Sequence, residues 1–163
     1  MFNDLIASTS LIVYDFDGVM TDNRVILNED GSESVIVSRA DGYAVNCIKG
    51  LNIRQIILST EKNSIVACRA KKLGIPVIHG VEDKKAVLFK YCEEHNIPLQ
   101  GVLFVGNDLN DIEVMKSVGV SACPLDAEEE IQRIAHWVIP KKGGFGVIRE
   151  LYRRIELIFT SSY

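Results

Sequence analysis

Between Leu11 and Ile139 the chain alternates short β-branched or aromatic runs with segments whose apolar positions recur every three or four residues. Leu11–Tyr14, Ile53–Leu58, Pro76–Ile78, Val102–Val105, Val118–Ala122 and Trp137–Ile139 read as strands. Gly42–Lys49, Asn63–Leu73, Asp83–Glu94 and Asp108–Lys116 carry helical spacing between them. Such alternation predicts βαβ units and a parallel sheet covered on both faces, an α/β three-layer sandwich. Leu11–Tyr14 and Val102–Val105 are apolar at every position, as strands buried on both faces must be.

One segment breaks the rhythm. Val25–Leu27 and Val35–Val37 flank Asn28-Glu29-Asp30-Gly31, an Asp-Gly turn between β-branched runs that signals a hairpin. It occupies about residues 23–38 and is too short to be a domain, so residues 1–163 form one domain with a small flap and no large cap. Val147–Phe159 has apolar residues at 147, 148, 151, 155, 158 and 159, an amphipathic helix after a Gly-rich loop from about 141, with Thr160–Tyr163 expected to fray.

Composition narrows the class. Hydrophobic residues make up 47% and charged residues 25%, values of an ordinary globular domain, and a net charge of -4 without a basic block argues against nucleic acid as a partner. Cys47, Cys68, Cys92 and Cys123 form no CxxC pair and read as small core residues in a reducing compartment. No signal-like leader or membrane-length apolar run occurs, so a cytoplasmic location and no membrane partner are expected.

Candidate chemistry sits at the strand exits, where open parallel sheets bind ligands. The first strand exits at Asp15-Phe16-Asp17, the second at Ser59-Thr60, and the fourth at Gly106-Asn107-Asp108-Leu109-Asn110-Asp111. Lys84 and Lys85 follow the third. Two carboxylates one residue apart repel unless something positive compensates them. Mg²⁺ on oxygen ligands from Asp15, Asp17 and the 107–111 cluster would do so. One carboxylate could then attack phosphorus while its neighbour protonates the leaving alcohol and later activates water. Ser59 and a lysine would neutralise the phosphoryl oxygens.

In order and spacing DFDGV, Ser59, Lys84 and GNDLND resemble the four motifs of the haloacid dehalogenase (HAD) superfamily. The resemblance implies a Rossmann-like HAD sheet, Asp15 as nucleophile, Asp17 as general acid/base, Ser59 on the phosphate and Lys84 bridging phosphate and nucleophile. It extends to the hairpin, to Asp41-Gly42-Tyr43 and to Lys142–Glu150, which resemble the capless branch. That branch holds 3-deoxy-D-manno-octulosonate 8-phosphate phosphatases, nonulosonate 9-phosphate phosphatases and the phosphatase-like domain of acylneuraminate cytidylyltransferases.

The branch implies a homotetramer whose neighbouring subunits close each site. It also implies a phosphorylated sugar-acid substrate, with the nonulosonate 9-phosphate favoured because Glu61 stands where octulosonate-type members tend to carry Arg. Gly18, Thr60, Glu61, Arg69 and Lys72 are the candidate substrate contacts, and Asp15, Asp17, Asn107 and Asp108 the candidate metal ligands. Two positions depart from the branch. Asn107 replaces the usual Asp, so either its amide oxygen ligates the metal or Asp108 takes over; Ser59-Thr60 replaces Thr-Gly. A weakly active or inactive oligomerisation module, like the domain attached to cytidylyltransferases, is the alternative.

Overall fold

The computed structural model describes residues 2–160. Six parallel strands form one sheet: β1 (Leu11–Tyr14), β4 (Arg54–Leu58), β5 (Val77–Ile78), β6 (Val102–Val105), β7 (Val120–Pro124) and β8 (Trp137–Ile139). Their spatial order is β5-β4-β1-β6-β7-β8, which puts the all-apolar β1 and β6 side by side at the centre. The chain order reverses across β1, where a crevice must open beyond the carboxyl ends of β1, β4 and β6.

Each face of the sheet buries its own apolar cluster. On one side Ile12, Tyr14, Ile57 and Val105 pack with α2 (Arg39–Gly50), α3 (Ile65–Leu73) and α7 (Val147–Thr160). On the other Leu11, Val13, Leu58 and Phe104 pack with residues of α4 (Lys84–Glu94), α5 (Ile112–Met115) and α6 (Glu129–Ile134). α1 (Phe2–Ala7) lies against α7, with Phe2 edge-on to Trp137 at 6.4 Å. α7 buries the 147, 148, 151 and 155 stripe the sequence predicts. Thr160 is still helical, and the remainder of the expected frayed end, 161–163, lies outside the described residues.

β1, β6 and β8 keep their expected bounds, the other elements shift by one to four residues, and the second hairpin strand comes earlier than expected. β2 (Ile26–Leu27) pairs antiparallel with β3 (Glu33–Ser34), while Val37 bridges back to Thr21. The turn runs from Asn28 to Ser32, with Asp30 Oδ1 accepting from the Ser32 backbone N–H and hydroxyl. Val35 and Val37 therefore turn inward onto the sheet's own core, and the exposed apolar residues are Val25, Ile26, Leu27 and Ile36. Among the cysteines, Cys92 and Cys123 are buried as expected; Cys68 is exposed and Cys47 half-buried. Among the described residues no helix is long and apolar enough to cross a membrane.

Candidate active site

Lys84 is the first residue of α4, where a cation opposes the helix dipole, yet only 3% of it is exposed. Its Nζ lies 2.9 Å from Asp15 Oδ1 and 2.7 Å from Asp111 Oδ1. Two buried carboxylates thus share one ammonium, and Lys84 is the interior lysine of the Lys84-Lys85 pair. Lys85 reaches instead over the Phe89 ring. Burial alone would lower the Lys84 pKa, but the charges of Asp15 and Asp111 outweigh it and hold the ammonium above its ordinary value.

Asp111 is fully buried; it belongs to the 107–111 cluster read from the sequence but had no individual role assigned there. Its Oδ2 accepts from the backbone N–H groups of Asn107 and Asp108 at 2.9 and 3.3 Å, so it fixes the loop as well as the lysine. Gly106 makes this approach possible, since a Cβ there would stand 2.6 Å from the Asp111 carboxylate. The available signal was the closing Asp of GNDLND, four residues after Asn107 and able to reach back over one turn.

Asp15 Oδ1 also accepts from the Phe16 N–H at 2.8 Å. Burial first, then the Asp111 charge, push its pKa up to about 7 against the pull of Lys84. Asp17 is raised too, by burial foremost and by the charges of Glu61 and Glu33, while the Thr21 hydroxyl that donates to its Oδ1 at 3.3 Å opposes the shift. Thr21, another residue the sequence reading missed, also accepts from the N–H groups of Gly18 and Asn23 and so shapes the DFDG turn.

Gly18 has a φ of +79°, and a Cβ on it would lie 1.9 Å from the Asn107 amide. It therefore makes room for Asn107 rather than serving as a side-chain contact. One end of that amide lies 2.9 Å from both Asp15 Oδ2 and the Asp17 carbonyl oxygen. Octahedral Mg²⁺ with oxygens at 2.0–2.1 Å places adjacent ligands about 2.9 Å apart. An Asn107 Oδ1, Asp15 Oδ2 and Asp17 carbonyl set fits such a cation. Among the described residues no three His, Cys, Asp or Glu side chains gather as a metal cage; the oxygens that meet here are a carboxylate, a backbone carbonyl and an amide. The carboxylate of Asp17 points to Thr21, and that of Asp108 caps the turn at Leu109 N, 2.6 Å away. Of the two residues left open at the fourth motif, Asn107 is the one placed against Asp15.

A cleft of about 250 Å³ is lined by Asp15, Asp17, Ser59, Thr60, Glu61 and Asn107, together with Asp108, Asn110, Asn23 and Val25. Ser59 Oγ accepts from the Glu61 N–H at 3.1 Å, which closes the turn after β4. Other clefts match it in volume, including one among Lys49, Arg54 and Tyr91 at the opposite end of β4, so size does not single it out. The convergence of carboxylates on a buried ammonium does.

Arg69 and Lys72 are not brought to this cleft within one chain. Arg69 Nη2 donates to the Ser38 carbonyl at 2.9 Å, and Lys72 is exposed on α3. The Gly143–Gly146 loop likewise packs inward: Gly144 N donates to Val19 O at 3.1 Å, and a Cβ at Gly143 would meet Gly18 O at 2.1 Å. Its glycines permit backbone to approach backbone. Asp41 completes this arrangement by accepting from the Arg149 N–H at 3.1 Å, which ties α2 to the start of α7.

A doubly wound parallel sheet with this acid–lysine–acid site defines a class of hydrolase. The chain belongs to the haloacid dehalogenase-like hydrolases, whose family matches residues 27–151. The 3-deoxy-D-manno-octulosonate 8-phosphate phosphatase KdsC of Yersinia pestis is 31% identical over 146 residues, 89% of this chain and 78% of that protein. The solved structure of the Yersinia pestis 8-phosphate phosphatase superposes with a TM-score of 0.92 at 30% identity, covering 96% of this chain and 85% of the other. The Moraxella catarrhalis enzyme, solved with magnesium, phosphate and KDO, gives 0.92 at 25% identity, covering 98% and 96%.

Proposed function

We propose that the chain is a Mg²⁺-dependent phosphomonoesterase that hydrolyses a phosphorylated sugar acid through an aspartyl-phosphate. The observation that carries the reading is the Lys84 ammonium held between Asp15 and Asp111 at the strand exit, with Asp17 beside it. A carboxylate oxygen of Asp15 attacks phosphorus as the bond to the leaving alcohol breaks, and Asp17 gives that oxygen its proton. Burial raises the Asp17 pKa above the ordinary carboxylate value, the direction that favours its acid form. Asp17 then takes a proton from water as the water attacks phosphorus, which frees phosphate and restores Asp15. Lys84 and the Ser59 hydroxyl hold the phosphoryl oxygens through both steps. When bound by Asp15, the Asp17 carbonyl and Asn107, Mg²⁺ supplies further positive charge to the transferring group. The intact acid–lysine–acid set weighs against an inactive module.

Glu61 in the cleft lining supports a nonulosonate 9-phosphate, because it stands where octulosonate-type members tend to carry Arg. The names of the KdsC relatives support the octulosonate 8-phosphate as the second reading. Phosphate release from both sugar acids and from simple phosphomonoesters, with and without Mg²⁺, decides between them. Mg²⁺-dependent release fastest on the nonulosonate is expected. A preference for the octulosonate establishes the second reading, and no release from either overturns the first.

Assembly belongs to this reading. Val25, Ile26, Leu27 and Ile36 are 52, 56, 70 and 63% exposed on and beside the two-stranded ribbon, with Val25 also lining the cleft, an apolar surface suited to further copies of this chain. A tetramer built there would cover the cleft, and Arg69 and Lys72 of a neighbouring subunit are candidates to meet the sugar carboxylate. Ile26→Asp with Ile36→Asp should leave a folded monomer with turnover reduced by about tenfold or more, since the loss of water exclusion weakens electrostatic catalysis. Light scattering alongside turnover checks it; a fully active monomer would refute the shared lid.

A further inference from the structure

Asn107 is only 7% exposed, and its backbone is pinned on both sides. Its N–H donates to Asp111 Oδ2 at 2.9 Å, and its carbonyl accepts from Glu128 N at 3.0 Å. The freedom left is rotation of the amide about its own axis. One amide end faces Asp15 Oδ2 and the Asp17 carbonyl, both acceptors, at 2.9 Å. An oxygen in that place meets two other oxygens and needs a cation between them. An NH₂ group there donates to both. Nitrogen and oxygen ends are nearly equal in size, and the missing Cβ of Gly18 leaves room for either.

We propose that Asn107 is a two-position amide, which locks the empty site through its NH₂ group and opens it to a cation by turning its oxygen inward. The inference rests on the reading of this cleft as the metal site. With no cation present, the NH₂ end bridges the Asp15 carboxylate and the Asp17 carbonyl, taking over part of the work of the missing charge. With a cation present, the amide turns by half a revolution and offers Oδ1 as the third protein ligand. Entry of the metal therefore costs two hydrogen bonds, one of them to a charged acceptor, which is worth roughly a tenfold in binding or more. An Asp at this position can form no such bridge. It would set a second carboxylate against Asp15, so the empty site would strain and the filled site would gain a charged ligand.

Three measurements test this without relying on turnover. Thermal melting in EDTA should show Asn107→Asp and Asn107→Ala both below the wild type, each by about 5 °C. Calorimetry should show Mg²⁺ binding to Asn107→Asp about tenfold tighter than to the wild type, and weaker to Asn107→Ala. The side-chain ¹⁵N amide pair of Asn107 should be protected from exchange in EDTA and lose that protection as Mg²⁺ is added. Melting of both variants within 1 °C of the wild type in EDTA, or an unprotected amide pair, would overturn the lock. If Asn107→Asp does not fold in EDTA, the Asn107→Ala melt decides. Failure of Mg²⁺ to bind either wild type or Asn107→Asp would instead remove the metal-site reading, leaving the lock to be judged from melting and amide exchange in EDTA.

Discussion

Asp15→Asn lowers turnover by about four orders of magnitude or more and abolishes the trapped phosphoenzyme, if Asp15 is the nucleophile. Asn keeps the shape and the acceptor for the Phe16 N–H, but its amide oxygen does not displace an alkoxide from phosphorus. The fold should survive, since Lys84 keeps its 2.7 Å contact with Asp111. The sign of the stability change is fixed by the Asp15 pKa, raised from 3.8 to about 7. A carboxyl raised in the fold contributes stability below about pH 4 that is lost as pH climbs through 7. Without a cation, the ionised Asp15 is therefore held at a cost at pH 8. The Asn variant in EDTA should melt no lower than the wild type there. Rapid-quench trapping and melting curves on one preparation separate lost chemistry from lost structure; wild-type turnover in the variant would remove Asp15 from the mechanism.

What the sequence made legible follows from how local each cause is. The all-apolar β1 and β6 declare themselves because burial on both faces leaves no polar position. α4 is legible from Asp83, which caps it by accepting from Ala86 N at 2.9 Å. α1 and α6 were missed: each is six residues long, too short for periodicity to rise above chance, and neither has a side-chain cap hydrogen bond described. The second hairpin strand falls on polar Glu33–Ser34 instead of Val35–Val37, because the Asp30 side chain closes the turn already at Ser32 and the apolar pattern gives no sign of it.

The same distinction runs through the site. Asp15, Ser59 and Lys84 were legible because each follows a strand or opens a helix, and Asp17 because it stands two positions beyond Asp15. Thr21 and Asp111 act by reaching back across a turn; Asp111 carries the signal of closing GNDLND, whereas nothing in a linear pattern separates Thr21 from other polar loop residues. The direction of Arg69, turned to the Ser38 carbonyl instead of the cleft, is set by the packing of α3 on α2. Spacing on one helix could not supply that.

Lys84→Met should be the most destabilising single change in the site, by about 3–5 kcal/mol at neutral pH without Mg²⁺. That is a fall in Tm on the order of 10 °C for a chain of this size. Met keeps the length of the stem, so the loss is of charge and not of volume. What remains is Asp15 and Asp111 facing each other in a buried site, each having lost its ammonium partner. Desolvation and mutual repulsion then favour a proton on one of them, so the deficit should shrink as pH falls from 8 to 5 and a shared proton replaces the lysine. Mg²⁺ should recover part of the loss at pH 8, because Asp15 Oδ2 faces the Asn107 amide and not the lysine. Melting temperatures of wild type and variant at pH 5 and 8, with EDTA or Mg²⁺, give the whole pattern. A deficit that does not vary with pH would mean that Lys84 holds the site by packing its stem, and that its two ion pairs contribute little to stability.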